Sequence, residues 1–313
     1  MTPPRALDSP LLELTDPSLA RPLSASIAHA RDDVLEAARD LLAIPEAALA
    51  RPWAWIGGSE EEVRYGAYRA VEALERAEVE ARATVSAADL AETRAARIVA
   101  PATAARWDLC GLLVPLPETL LDAEPGGGEW TIRLVLGHLI SSQRGYTWGT
   151  AWWLANPHEA GDPDLPPGVP EAFWTALPDE ADEADGAHAE IQTRLHAILD
   201  LAAERLAGLP DDRLPLAARW SGFAVTVEFR LGRWSSHLRE HTIQVEKTLA
   251  MLGHAPTEPD RLTRLLMAAY GRAEATVFGR GSVEPVASPV ERVAQGAAEA
   301  RDAIHAAREA AGS

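Results

Sequence analysis

The segment Trp234-Ser235-Ser236-His237-Leu238-Arg239-Glu240-His241 sets two histidines four positions apart within a run of helix formers. Residues four apart on an α-helix share a face, with Cβ atoms about 5–6 Å apart, so both imidazoles can be presented to one point. About a hundred residues upstream, Thr131 stands as the N-cap of a helical run, Ile132-Arg133-Leu134-Val135-Leu136-Gly137-His138-Leu139-Ile140, which carries a third histidine. If the two helices face each other, His138, His237 and His241 supply three nitrogen ligands. Catalytic zinc commonly takes three protein ligands and keeps a position for water or substrate, whereas structural zinc closes all four and often uses cysteine. The chain has a single cysteine, Cys110. The pattern therefore points to an open, reactive metal site.

The rest of the sequence carries the same helical signature. Apolar residues recur at three- and four-residue spacing, and Ala, Leu, Glu and Arg dominate. Helices are predicted at 25–48, 59–98, 102–123, 131–155, 182–208, 225–252, 258–278 and 288–311. Breakers at Pro52, Gly57-Gly58, Pro101, Gly126-Gly127-Gly128, Pro210, Gly253 and Pro256 separate them. No run of alternating apolar residues indicates a sheet, so the predicted fold class is all-α. From Asn156 to Asp179 the chain is dense in Pro and Gly and has no period. Such a stretch can carry the chain from one end of a bundle to the other, which would make 131–155 and 182–208 parallel. The pairs 102–123 with 131–155 and 182–208 with 225–252 would then be antiparallel.

The expected divisions are a loosely ordered tail at 1–21, a helical hairpin at 22–100, the histidine-bearing bundle at 101–253, and C-terminal helices at 254–313. The last group packs either on the hairpin, forming a second bundle with it, or on the first bundle. A faint repeat runs through these parts. Leu41-Leu42-Ala43-Ile44-Pro45 before Trp53, Leu113-Val114-Pro115-Leu116-Pro117 before Trp130, and Leu206-Ala207-Gly208-Leu209-Pro210 before Trp220 each read as helix, Pro-marked turn, Trp, helix. The first copy has no histidine in its second helix and would be a degenerate hairpin without the metal site.

Composition narrows the function classes. The 313 residues are 47% apolar, enough for a substantial core, and carry a formal net charge of −18 with Lys247 as the one lysine. A duplex-binding surface needs clustered positive charge, so nucleic acid is not an expected partner. No apolar run reaches the 18 or so residues of a membrane span, and Met1 to Leu14 lacks the apolar stretch of a signal peptide, so the expectation is a cytoplasmic protein with no membrane partner. One cysteine excludes an internal disulfide framework, and its apolar neighbours (Leu109, Leu112, Leu113) mark Cys110 as a core residue.

Around the histidines, Leu134, Ser141 and Gly145 fall on the stripe of His138, and Arg230, Trp234 and Gln244 or Val245 share the face of the His pair. Trp148, Trp152, Trp153 and Trp234 are candidate pocket walls. Arg230 and Arg233 are candidate binders of a substrate carboxylate. Glu240 is adjacent but points about 100° away from His241 around the helix, which makes it a weak candidate for a general base. The other histidines, His29, His158, His188, His196, His254 and His305, show no partner spacing and read as solvated or capping.

Gly128-Glu129-Trp130-Thr131 leading into Gly137-His138-Leu139, followed after a long crossover by Trp234 to His241, resembles the DinB-like superfamily of metal-binding four-helix bundles. That superfamily takes in YfiT-like metallohydrolases, mycothiol-dependent maleylpyruvate isomerases and bacillithiol-type S-transferases. The likeness spans roughly 102–253. It implies that His138, His237 and His241 are the metal ligands, for Zn2+ first and Ni2+ or Fe2+ as alternatives, with a low-molecular-weight thiol as a second cofactor. The implied function is a metal-dependent enzyme that activates the thiol or water for transfer to a small electrophilic substrate, of the thiol S-transferase or isomerase type. A metallohydrolase, and a non-catalytic stress protein that binds metal or a small ligand, stay open as alternatives, as does a homodimer. Because each imidazole must be neutral to ligate, metal affinity is expected to weaken as pH falls toward and below about 6.5.

Overall fold

A computed structural model describes residues 24–55, 59–87, 93–157, 165–278 and 289–312. The expected tail at 1–21 and the expected break at Gly57-Gly58 lie outside the described residues. The described helices are α1 (Ala25–Leu42), α2 (Tyr65–Ala87), α3 (Arg94–Leu113), α4 (Glu118–Leu121), α5 (Ile132–Ala155), α6 (Glu171–Trp174), α7 (Glu180–Ala184), α8 (His188–Leu206), α9 (Val227–Met251), α10 (Glu258–Ala275) and α11 (Pro289–Gly312). Two antiparallel hairpins join them, β1 (Pro52–Ala54) with β2 (Glu60–Glu62), and β3 (Ala217–Trp220) with β4 (Phe223–Thr226). The fold is all-α apart from these two short ribbons. None of the described helices is long and apolar enough to cross a membrane.

The chain divides into two compact units. One is built from Ala91–Ala102 and Pro117–Gly253, the other from Leu23–Leu90, Thr103–Leu116 and His254–Ser313. In the first unit, Arg133 near the start of α5 donates to the carbonyls of Ala184 and Gly186, which precede α8. Near the other ends of these helices, Trp148 and Trp152 pack with Leu201. Hence α5 and α8 run parallel, and the Pro-rich stretch between them is a crossover that includes α6 and α7. Helix α9 is antiparallel to α5: Arg230 at its start reaches the carbonyl of Gly145, and Thr248 near its end donates to the carbonyl of Trp130. The start of α3 meets the start of α9 through Arg94 and Glu228, 2.6 Å apart.

In the second unit α1, α2, α10 and α11 form a bundle of their own. Asp33 and Asp40 on α1 pair with Arg301 and Arg308 on α11, two couples in the same order seven residues apart, so these helices are parallel. Gly66 faces Ala307 and Gly296 faces Ala77, which makes α2 and α11 antiparallel and closely approached. Arg64 with Glu258 and Arg272 with Glu75 make α2 and α10 parallel. Alanines and glycines fill this core (Ala30, Ala37, Ala70, Ala297 and Ala300 are fully buried) because small side chains are what such close backbones admit.

Several predicted boundaries need correction. Pro101 lies inside α3 and does not break it. The buried positions Ala95, Ala96, Val99, Ala102, Thr103 and Arg106 continue through the proline, and burying that stripe outweighs the roughly 3 kcal/mol that an interior proline costs. The predicted helices at 59–98 and 102–123 are thus replaced by α2, α3 and the single turn α4. The predicted start at 182 is a separate turn, α7, stopped by Gly186 at φ +95°, and α8 begins at His188. The hairpins were not expected because strands of three or four residues are too short to display alternation. His188, read as solvated or capping, is buried at the first position of α8, which excludes the solvated reading, while Cys110 sits in the core as expected.

Candidate metal centre

Two capped helices set the centre. The Thr131 hydroxyl accepts from the Leu134 N–H to start α5, and the Thr226 hydroxyl accepts from the Phe229 N–H to start α9. Antiparallel packing then lays His138 against His237 and His241. One ring nitrogen from each of the three lies within 4.8 Å of the others. The Nε2 atoms of His237 and His241 are 3.0 Å apart, close to the roughly 3.3 Å expected of two imidazoles on one tetrahedral zinc.

Outer hydrogen bonds orient two of the rings. His138 Nδ1 lies 2.7 Å from Glu180 Oε1 on α7, and His241 Nδ1 lies 2.7 Å from Gln244 Oε1. Both oxygens are acceptors, so both Nδ1 atoms carry the hydrogen and both Nε2 lone pairs face inward, the arrangement that orients histidine ligands in metal proteins. Two inward lone pairs facing a third imidazole leave an electron-rich focus, and the donor set fits a divalent transition metal.

Burial, reinforced by the neighbouring His241 and His138, pushes His237 down to about 3. Burial also lowers His241. Burial therefore holds both rings toward the neutral form that ligation requires. The sign for stability follows from linkage. Between about 6.5, the ordinary histidine value, and about 3 the unfolded chain binds a proton at His237 that the folded chain does not, so the metal-free protein is expected to lose stability as pH falls through that window. Urea midpoints of the metal-free protein at pH 7 and pH 5 measure this. A midpoint that stays level or rises at pH 5 contradicts it, and His237→Asn should flatten the slope.

The rings against the histidines are Trp130, 5.2 Å from His138, and Tyr146, 5.3 Å from His237. Behind Tyr146 stands Trp220 of the β3–β4 hairpin, 5.1 Å away, and Arg233 lies over the Trp220 ring. The candidate walls Trp148 and Trp152 are elsewhere, packed with Phe173, Leu177 and Leu201, and Trp234 is buried with its carbonyl accepting from Gln143. Arg230 is not a free anion binder. Its guanidinium is buried over the Trp153 ring and donates to Thr150 and to the carbonyls of Arg219 and Gly145, and burial pushes it down to about 10. Arg233 and Glu240 hold each other in a two-pronged pair at 2.9 Å per contact. That hydrogen-bonded pairing lowers Glu240 and makes it a poorer base than an ordinary carboxylate.

The DinB superfamily family model matches residues 102–245, the segment that contains α5, the crossover, α8 and all three histidines. This segment belongs to the DinB superfamily. No curated protein and no solved structure gives a match. Within the DinB segment, sequence reasoning overlooked Tyr146 and Glu180 and read Trp220 only as a mark of the repeat, whereas Gln244, expected with Val245 as alternatives on the face of the His pair, is the one that bonds to His241. Tyr146 is eight residues after His138 and Gln244 three after His241, so helical spacing carried a signal for both. Glu180 arrives from the crossover, where no spacing rule reaches.

Proposed function

We propose that His138, His237 and His241 hold one divalent transition metal, zinc first, and that the protein activates a low-molecular-weight thiol for attack on a small electrophile. The observation that supports this reading is the three-imidazole focus with Glu180 and Gln244 on its outer nitrogens. Zinc held by neutral imidazoles keeps its full charge and would supply Lewis acidity that lowers the pKa of water or thiol. The chain's own contribution is positioning. Glu180 and Gln244 fix two ring orientations, Trp130 and Tyr146 wall the histidines, and the exposed rings of Phe223 and Phe229 beside Trp220 offer an apolar lip for an organic substrate.

A thiol is favoured over water as nucleophile. Hydrolysis needs a group to shuttle the water's proton to a leaving group, yet the nearby carboxylates are engaged, Glu240 with Arg233 and Glu180 with His138. A thiol, with its ordinary pKa of about 8.5, would release its proton to solvent on binding the metal, and the thiolate's attack on a carbon that expels an anion such as halide then needs no proton shuttle. The test is metal analysis of the purified protein followed by initial rates with mycothiol, bacillithiol, glutathione or cysteine and the electrophile monobromobimane. The expected result is a metal-dependent rate above background with at least one thiol, lost in the triple histidine-to-alanine variant. A rate that the triple variant retains, or a metal-loaded protein inert with every thiol, overturns the reading.

A further inference from the structure

Two connections, one in each unit, are built alike. After α8, Pro210 leads a 3-10 turn at Asp211–Arg213, the β3–β4 hairpin follows, and α9 begins as Val227 N–H donates to the Leu216 carbonyl and Glu228 N–H to that of Leu214, at 2.9 and 3.0 Å. After α1, Pro45 leads a 3-10 turn at Glu46–Ala48 and the β1–β2 hairpin follows. Val63 N–H then donates to Arg51 and Arg64 N–H to Leu49, both at 3.0 Å. Matching these hydrogen bonds sets Trp55 against Trp220, Arg69 against Arg233, Ala73 against His237 and Ala77 against His241. Helix directions agree as well, since α10 parallels α2 as α3 parallels α9, and α11 parallels α1 as α5 parallels α8. The second unit repeats the histidine-bearing bundle with its helices in a different chain order.

Its counterpart of the centre is closed to metal. The residue facing Ala73 and Ala77 from α11 is Gly296, where an added Cβ would lie 2.4 Å from the Ala77 Cβ and 3.2 Å from the Ala73 carbonyl oxygen. A cleft of about 480 Å³ nevertheless remains beside these positions, lined by Trp53, Trp55, Arg69, Glu72, Arg76 and Glu299 among others. The part of the site that corresponds is therefore its organic half, an indole and a guanidinium.

We propose that this cleft binds a small planar organic carboxylate without a metal. Trp53 and Trp55 meet edge to face at 4.6 Å, which leaves an indole face for a flat ring. Arg69 and Arg76 each already hold a carboxylate, Glu72 and Glu299, through exposed ion pairs. Exposed pairs are weak, so a ligand carboxylate can replace one of these while its ring is held by the indoles. The proposal stands whether or not the histidines bind metal.

The test is calorimetric titration of 2-naphthoate into full-length protein carrying His138→Ala, His237→Ala and His241→Ala, which separates this cleft from the centre. Saturable binding of one equivalent is expected, weakened about tenfold or more by Arg69→Ala or Arg76→Ala, and 2-naphthamide should bind about tenfold more weakly than the acid. Trp55→Ala should remove binding, and the arginine variants, altered at exposed side chains, keep the test valid should Trp55→Ala unfold. Absence of saturable binding, an affinity indifferent to both arginines, or equal affinity for acid and amide overturns the proposal.

Discussion

His237→Ala is expected to leave the protein folded but unable to carry a stoichiometric divalent metal. His237 is the innermost of the three rings, buried on α9 with its Nε2 3.0 Å from that of His241. Removing an outer hydrogen-bond partner of a ligand typically costs 10–100-fold in affinity, so deleting a ligand itself should cost more than about 100-fold. Metal that binds only the folded state stabilises it by RT ln(1 + [metal]/Kd), about 2.7 kcal/mol at a hundred times Kd, and this rise in melting temperature should vanish with the ligand. His254→Ala, outside the group of three ring nitrogens, should keep both metal and thermal shift. Glu180→Gln should fall between, near the tenfold end, because the Glu180 side chain is about half exposed. Elemental analysis and melting curves with and without zinc decide the matter. One tightly bound metal per chain in His237→Ala would remove the site assignment.

Glu274→Ala carries the largest expected loss of stability. Glu274 is buried in the second unit, where its carboxylate accepts from Arg31 at 2.6 and 3.0 Å, from Arg106 at 2.8 Å and from the Trp107 indole at 3.0 Å. Arg106 is itself 1% exposed. Deleting the shared carboxylate leaves buried guanidinium charge without it, and breaking a buried pair from one side costs about 3–5 kcal/mol. For a unit of this size the melting temperature should drop by about 10 °C. Glu274→Gln, which still offers an acceptor oxygen, should cost less. A Glu274→Ala melting point within 2 °C or so of the parent would mean that the cluster relaxes or hydrates freely.

The parts of the fold legible in the sequence are those with local causes. Helices α5 and α9 were expected at 131–155 and 225–252 and lie at 132–155 and 227–251, because both are strong helical runs and Thr131 is legible as the cap of the first; the cap of the second, Thr226, falls inside the expected range. The three histidines were legible through the four-residue spacing of the pair and the cap that placed His138. What stayed hidden has non-local causes. Pro101 signals a break that tertiary burial overrides, and the strands are too short to alternate. Arg230 bonds to Thr150 of α5, a neighbour that position along its own helix does not reveal, whereas Arg233, Ser236 and Glu240 all lie on α9, three and seven residues apart, and that spacing held a signal that went unread.

Gly137, beside His138, reveals how finely the outer support is seated. A Cβ at that position would lie 2.3 Å from the Glu180 carbonyl oxygen and 2.8 Å from the Ala184 Cβ. The crossover turn that carries Glu180 thus rests directly on the backbone of α5, and a hydrogen atom is the largest substituent that lets it do so. Tolerance to mutation at 137 is accordingly decoupled from exposure and charge. A methyl group, ordinarily the mildest of changes in a helix, would lift the turn and carry the carboxylate away from His138. The centre is therefore vulnerable at a residue with no chemistry of its own.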